Sequence, residues 1–418
     1  MLRSRPPYST TKSTRSRTQR TTCAREACAS ADANQHRALS ARPALRDRVA
    51  VAEAHHHRLR QHPTAAPDES SVSGPQATTS PFQALPKVEP HLHLEGAIRP
   101  STVEELARRF DPSFRLADWE WTRPGFRYAD LADFVATMRG VLNMALERTD
   151  DYARAMYELL HDLADENVVY AEPSVSTSRL ARMGLDIGDV LRAIDDARLR
   201  AEAERDIHAG VILAFGRGKD TQVAEECATR FADWRAHGVV GVDLHGVESA
   251  GPAAPYADVY RAARDAGLGL RAHAGEGMGA DSVWEVVRSL GVSRIAHGVR
   301  AVEDERLVDY LAEHAIILDI CPTSNVKLRV APSMSEHPIR ALYDRGVPVT
   351  VSTDDPLMFM VTMSEEYRAL SEHLGFTRAE LERVTLNAVD AAFLPEDDRR
   401  ALRLVVREGF PRSTRPRA

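Results

Sequence analysis

Three observations predict an α/β chain folded as a (β/α)8, or TIM, barrel. Eight short apolar runs of β type recur along the chain, helix-compatible segments separate them, and ionisable side chains gather where the runs end. The runs cover residues 88–94, 168–175, 209–215, 239–244, 268–273, 294–297, 316–320 and 347–352. Most are spaced by about one βα unit of ~30 residues, and each is too short for a helix. A doubly wound open sheet is the structural alternative. It calls for a Gly-rich phosphate turn after an early strand, and the sequence has none.

Taken in order, residues 1–84 read as a disordered basic tail rich in Arg, Ser, Thr, Ala and Pro, without the apolar periodicity that could offset chain entropy. The first 25 residues hold no acid, as in a targeting segment. A plain extension or a start assigned too far upstream accounts for the composition better. The domain proper is expected over residues 85–410. Ser101-x-x-Glu104 reads as a capping box for a helix over 102–110, and residues 111–167 read as a mainly helical insertion after the first strand. Its Trp119, Trp121, Phe126 and Phe134 suit core packing better than a lid over a ligand. Later helices are expected over 257–265, 282–290 and 304–314, and Thr377-x-x-Glu380 caps another.

Composition excludes several classes. Residues 1–80 hold 13 of the 54 basic and 6 of the 61 acidic residues, leaving 41 and 55 in the body. A body so acidic is a poor nucleic-acid binder. Four cysteines without motif spacing (Cys23, Cys28, Cys227, Cys321) argue against a disulfide framework and fit a reducing, cytoplasmic setting. No apolar run approaches the ~18 residues of a membrane span.

The chemistry lies at the run ends, where such barrels carry their sites. His91, His93 and Glu95 alternate in Pro90-His91-Leu92-His93-Leu94-Glu95-Gly96, so an extended chain puts all three on one face. Further on come Asp243-Leu244-His245-Gly246-Val247-Glu248, His273-Ala274-Gly275-Glu276, His297-Gly298 and Thr353-Asp354-Asp355-Pro356. A mononuclear zinc site needs three or four N/O ligands and an open position, which His91, His93, His273 and Asp354 could supply.

These motifs, together with Pro86-Lys87-Val88-Glu89, Arg294-Ile295-Ala296 and Cys321-Pro322-x-Ser324-Asn325, resemble the adenosine deaminase family of metal-dependent amidohydrolases from about residue 85 to 395. The resemblance implies one Zn²⁺ per subunit on His91, His93, His273 and Asp354, with His297 orienting and deprotonating the attacking water. It implies Glu276 as the acid at purine N1, Asp355 at N7 and the Gly246 N–H at N3, with Glu95 and His93 also facing the substrate. N7 is an acceptor, so Asp355 could donate to it only when protonated. The implied reaction is deamination of adenosine or 2'-deoxyadenosine to the inosine product and ammonia, with 6-aminodeoxyfutalosine or adenine as alternative substrates.

Two departures bear on the substrate. Glu95 stands where the family's adenosine enzymes carry Asp. Ser174 follows Glu172-Pro173 where many members carry arginine, and it reads either as lining the ribose side or as an ordinary loop serine. The rival readings are a dinuclear amidohydrolase, which needs a bridging lysine that strand 4 lacks (Lys219 is the nearest), and a non-catalytic purine-binding homologue. The partner implied is a small purine. Oligomeric state is not legible.

Overall fold

The structure is a computed structural model and describes residues 80–218 and 221–410. The expectations for residues 1–79, including Cys23 and Cys28, and for Lys219 lie outside the described residues. Residues 80–84 form a turn that Lys87 fastens, its ammonium donating to the carbonyls of Gln83, Leu85 and Glu166.

Eight parallel strands pair in chain order: β1 (Lys87–His93), β2 (Val168–Ser176), β3 (Val211–Gly216), β4 (Val239–His245), β5 (Gly269–Ala274), β6 (Arg294–His297), β7 (Ile317–Ile320) and β8 (Val349–Val351). A two-residue strand, His208–Ala209, runs beside β2. An isolated parallel bridge between Leu92 and Asp354 brings the end of β8 to β1 and closes the ring. The strands are buried on both faces, which is why they read as continuous apolar runs rather than alternating ones. The barrel expectation is met.

Helices fall where the spacing predicts, at Ala257–Asp265, Ala280–Leu290 and Glu305–Glu313. Thr377 and Glu380 form the expected reciprocal box at the start of Arg378–Ala391. The first helix differs. It spans Pro100–Ala107, with Arg99 at the N-cap and Pro100 in the first turn, so Ser101 caps nothing. Proline's fixed φ suits that position and begins the helix earlier. Glu104 turns instead to the Leu116 N–H and the Arg108 guanidinium.

The insertion is helical over Leu131–Ala145 and Thr149–Asp165, but 111–130 holds only two short 3-10 turns. Trp121 and Phe134 are buried. Phe134 stacks on Phe359 with centroids 5.0 Å apart, and Tyr128 meets both rings edge-on. The Tyr128 hydroxyl donates to the Met358 carbonyl. Trp121 and Phe134 are core packing, as expected, whereas Trp119 and Phe126 are half-buried, and Phe134 packs on the short helix Pro356–Phe359 that follows Asp355.

Pro90 cannot donate to the ladder, and the β1–β2 register shifts around it. Its carbonyl accepts from Arg271 and Arg294, 2.7 Å each. Arg294 also holds Glu172 and Asp319, both at 2.6 Å, with all three side chains buried. Removing one member of such a group strands charge in the core and costs about 3–5 kcal/mol. Arg294→Met is therefore expected to lower unfolding stability by about 3–5 kcal/mol in a denaturant titration. A loss below about 1 kcal/mol would show that these charges are not mutually dependent.

Candidate active site

The closing bridge assembles the site. The His93 N–H donates to the Asp354 carbonyl (2.8 Å) and the Asp354 N–H to the His91 carbonyl (3.3 Å), so strand pairing itself sets Asp354 beside the two histidines. Asp354 (φ +66°) and His297 (φ +62°) both adopt the left-handed region, which costs an L residue about 1–2 kcal/mol. Such strain is retained where the surroundings over-determine it.

Asp354 Oδ1 lies 3.4 Å from both His91 Nε2 and His93 Nε2, and Oδ2 lies 3.8 Å from His297 Nε2. Donor atoms of His91, His273, His297 and Asp354 all fall within 4.8 Å of one another, as do those of His93, Asp354 and Asp355. All are buried. Of the expected ligands, His91, His273 and Asp354 share one group with His297, and His93 meets Asp354 in a second group with Asp355.

Hydrogen bonds behind the rings sort the donors. His273 Nδ1 faces the Asp243 carboxylate at 3.0 Å, which only accepts, so this nitrogen carries the proton. His91 Nδ1 faces the Asp319 carbonyl at 3.3 Å with the same consequence. The Ser174 hydroxyl donates to the Leu92 carbonyl and leaves its lone pairs to His93 Nδ1, 2.9 Å away. In their neutral forms all three rings therefore aim an Nε2 lone pair at the cluster, the arrangement that metal-ligating histidines adopt. His91 Nε2 is buried without a hydrogen-bond partner. His93 is pushed up to about 9: burial opposes its charge, and the carboxylates of Asp355 and Asp354 outweigh burial. The donor set of three imidazole nitrogens and a carboxylate fits a divalent metal.

The carboxyls differ in kind. Burial would raise Asp354, yet the nearby rings of His297, His91 and His93 hold it well below the usual range. Ser324 donates to its Oδ2 at 2.7 Å. Burial, then the charges of Asp354, Glu248 and Asp355, push Glu276 well above the usual range. Its Oε1 is 3.5 Å from His297 Nε2. Asp355 is raised as well, by burial and by Asp354 and Glu95 against the pull of His93, and its Oδ1 is buried without a partner. Gly96 leaves the room for that carboxyl, since a Cβ there would lie 1.7 Å from Asp355 Oδ1.

Two sequence expectations change. Glu95 does not share a strand face with His91 and His93, because β1 ends at His93 and Leu94–Gly96 is a 3-10 turn. Its Oε1 accepts the Ser176 N–H at 2.9 Å. Ser174 lies within β2 and backs His93, which is neither of the readings offered for it. Gly246 sits exposed just past β4 with φ +93°. Sequence reasoning missed the supporting roles of Asp243, Asp319 and Glu248. The Glu248 carboxylate accepts the N–H groups of Gly275, Glu276, Gly277 and Met278 and the Ser282 hydroxyl, fixing the loop that carries Glu276. An acid three residues past a strand gives no sign of such a role in one sequence.

A parallel barrel with a buried His/Asp cluster at the strand ends defines a metal-dependent amidohydrolase fold. Residues 86–408 match the family model described as adenosine deaminase, and the chain belongs to that family. It is 37% identical over 322 residues to an adenine deaminase of Rhizobium leguminosarum bv. trifolii, spanning 76% of this chain and 98% of the relative. It is equally 37% identical over 311 residues to an adenine deaminase of Bordetella parapertussis, spanning 74% and 97%. Among solved structures, a zinc-bound amidohydrolase from Burkhoderia ambifaria superposes with TM-score 0.73 at 31% identity, covering 82% of this chain and 95% of that one. An adenine deaminase from Arthrobacter aurescens does so with TM-score 0.72 at 26% identity, covering 78% and 98%.

Asp243→Asn keeps the shape but weakens the acceptor behind His273. Metal affinity, measured by chelator competition, is expected to fall about 10–100-fold, as when such supports are removed elsewhere. Unchanged affinity would contradict the support role.

Proposed function

We propose that this protein is a hydrolytic deaminase that exchanges the C6 amino group of a 6-aminopurine for oxygen and releases ammonia. The observation that carries the reading is Glu276: a buried carboxyl, pushed well above the usual carboxylate range by burial, 3.5 Å from His297 Nε2 and beside a metal-type donor cluster. Attack of water at C6 breaks ring aromaticity and moves electrons onto N1, so an acid there stabilises the charge as it develops.

His91, His93, His273 and Asp354 would hold one zinc ion. Zinc, when bound, supplies a Lewis acid that brings the pKa of water toward ~7. The chain's own residues divide the rest. Glu276 delivers its proton to N1. His297, at the end of β6, orients the attacking oxygen. Asp355, protonated, donates to N7, which accepts. The Gly246 N–H reaches N3, while Glu95 and His93 border the purine.

Adenine is the substrate that we favour. The relatives at 37% identity bear that name, and they match this chain over nearly their whole length. Glu95 accords with it as a departure from the Asp that the family's adenosine enzymes carry there. Adenosine or 2'-deoxyadenosine is the second reading, favoured by the family model that the chain matches.

Ammonia release from adenine, adenosine, 2'-deoxyadenosine and 6-aminodeoxyfutalosine decides between them by kcat/KM. The highest value is expected for adenine. A higher value for a nucleoside supports the second reading, and failure on all four overturns the reaction class. Glu276→Gln is expected to retain metal while turnover falls about 10²–10⁴-fold, the usual scale of a lost general acid. Unchanged turnover would sink the acid role.

A further inference from the structure

His297 is the exception among the clustered histidines. Its Nδ1 faces neither a carbonyl nor a carboxylate. It lies 3.2 Å from Asn325 Nδ2, and the other end of that amide, Oδ1, lies 3.1 Å from His337 Nε2. His337 Nδ1 in turn lies 3.1 Å from the Ile339 backbone nitrogen. Asn325, His297 and His337 are all buried.

Directions along this chain are fixed from one end. A backbone N–H can only donate, so His337 Nδ1 accepts from Ile339 and the proton of a neutral His337 is on Nε2. Burial and nearby His297 push His337 down to about 3, which keeps it neutral. His337 Nε2–H must donate, and only the oxygen of Asn325 can receive it. Turning the amide round would set two donors face to face. The amide nitrogen is therefore committed to His297, whose Nδ1 must accept, and the proton of a neutral His297 is on Nε2.

We propose that Asn325 and His337 are positioning residues that lock His297 as the Nε2–H tautomer, opposite to the Nδ1–H form of His91, His93 and His273. The three Nδ1–H rings offer lone pairs to a metal, and the fourth offers a proton. That separates His297 from the ligands although its donor atom lies within 4.8 Å of those of His91, His273 and Asp354. It also revises the part expected of it. Nε2 bears a hydrogen, so His297 holds the attacking oxygen by donating to it and does not take the water's proton, which is lost to solvent. This last point rests on the deaminase reading; the tautomer does not.

The test uses the zinc-loaded chain labelled with ¹⁵N-histidine. Long-range ¹H–¹⁵N correlations distinguish the two tautomers of each ring, and the expected pattern is Nε2–H for His297 and Nδ1–H for His91, His93 and His273. Nδ1–H at His297 in the wild-type chain would overturn the proposal whether or not any purine is turned over. His337→Phe removes the donor that orients the amide. It is expected to lower kcat about 10²-fold, the scale of one lost donor to a reacting oxygen, with KM and metal content kept within about threefold. His337→Gln, which can both donate to Asn325 and accept from Ile339, is expected to restore kcat and the Nε2–H signature. Equal loss in the Phe and Gln variants would mark a merely structural role and overturn the proposal. If no purine is turned over by the wild type, the deaminase reading fails while the ¹⁵N pattern still decides the tautomer.

Discussion

Two backbone hydrogen bonds, His93 N–H to Asp354 and Asp354 N–H to His91, are the constraint on which this molecule turns. They close the barrel, and they do so between the very residues whose side chains form the cluster. Moving Asp354 away from the histidines therefore means opening the ring. The left-handed backbone at Asp354 is a local cost of this arrangement, offset by the closure and by the Ser324 hydroxyl on its carboxylate. Fold and site are the same set of contacts at this point.

The polar interior extends the same logic downward. Arg271 joins Asp243 to the Pro90 carbonyl, and Arg294 joins Glu172 and Asp319 to it. Buried charges are tolerated only when paired and fully hydrogen-bonded. Here the pairing does further work, because Asp243 and the Asp319 carbonyl back two of the clustered rings. The arginine layer thus connects the proline kink in β1 to the tautomers of the histidines above it. Packing of the insertion against Pro356–Phe359 holds the other edge, where Asp355 stands.

Much of this was legible in the sequence, for identifiable reasons. Strands buried on both faces produce unbroken apolar runs, so all eight barrel strands could be read, and the ligand-type residues stood out because they cap those runs. The Thr377 box was legible because its reciprocal bonds are local. The Ser101 pattern misled because Pro100 competes for the helix start. Glu95 misled because alternation holds only while the strand continues, and β1 stops two residues earlier. Glu248, Asp319, Asn325 and His337 act through partners that are distant in the chain or through backbone groups. One sequence carries no signal for that, even where, as with Asn325, the residue lies inside a recognisable motif.

The central claim is that one metal binds at the point of closure, to three Nε2 atoms and the Asp354 carboxylate. Anomalous diffraction at the zinc edge from crystals of the zinc-loaded chain tests it most directly. The account predicts a single peak per chain, bonded to His91, His93, His273 and Asp354, with His297 left outside the coordination sphere. Two peaks, or one peak coordinated by His297 in place of His93, would contradict it.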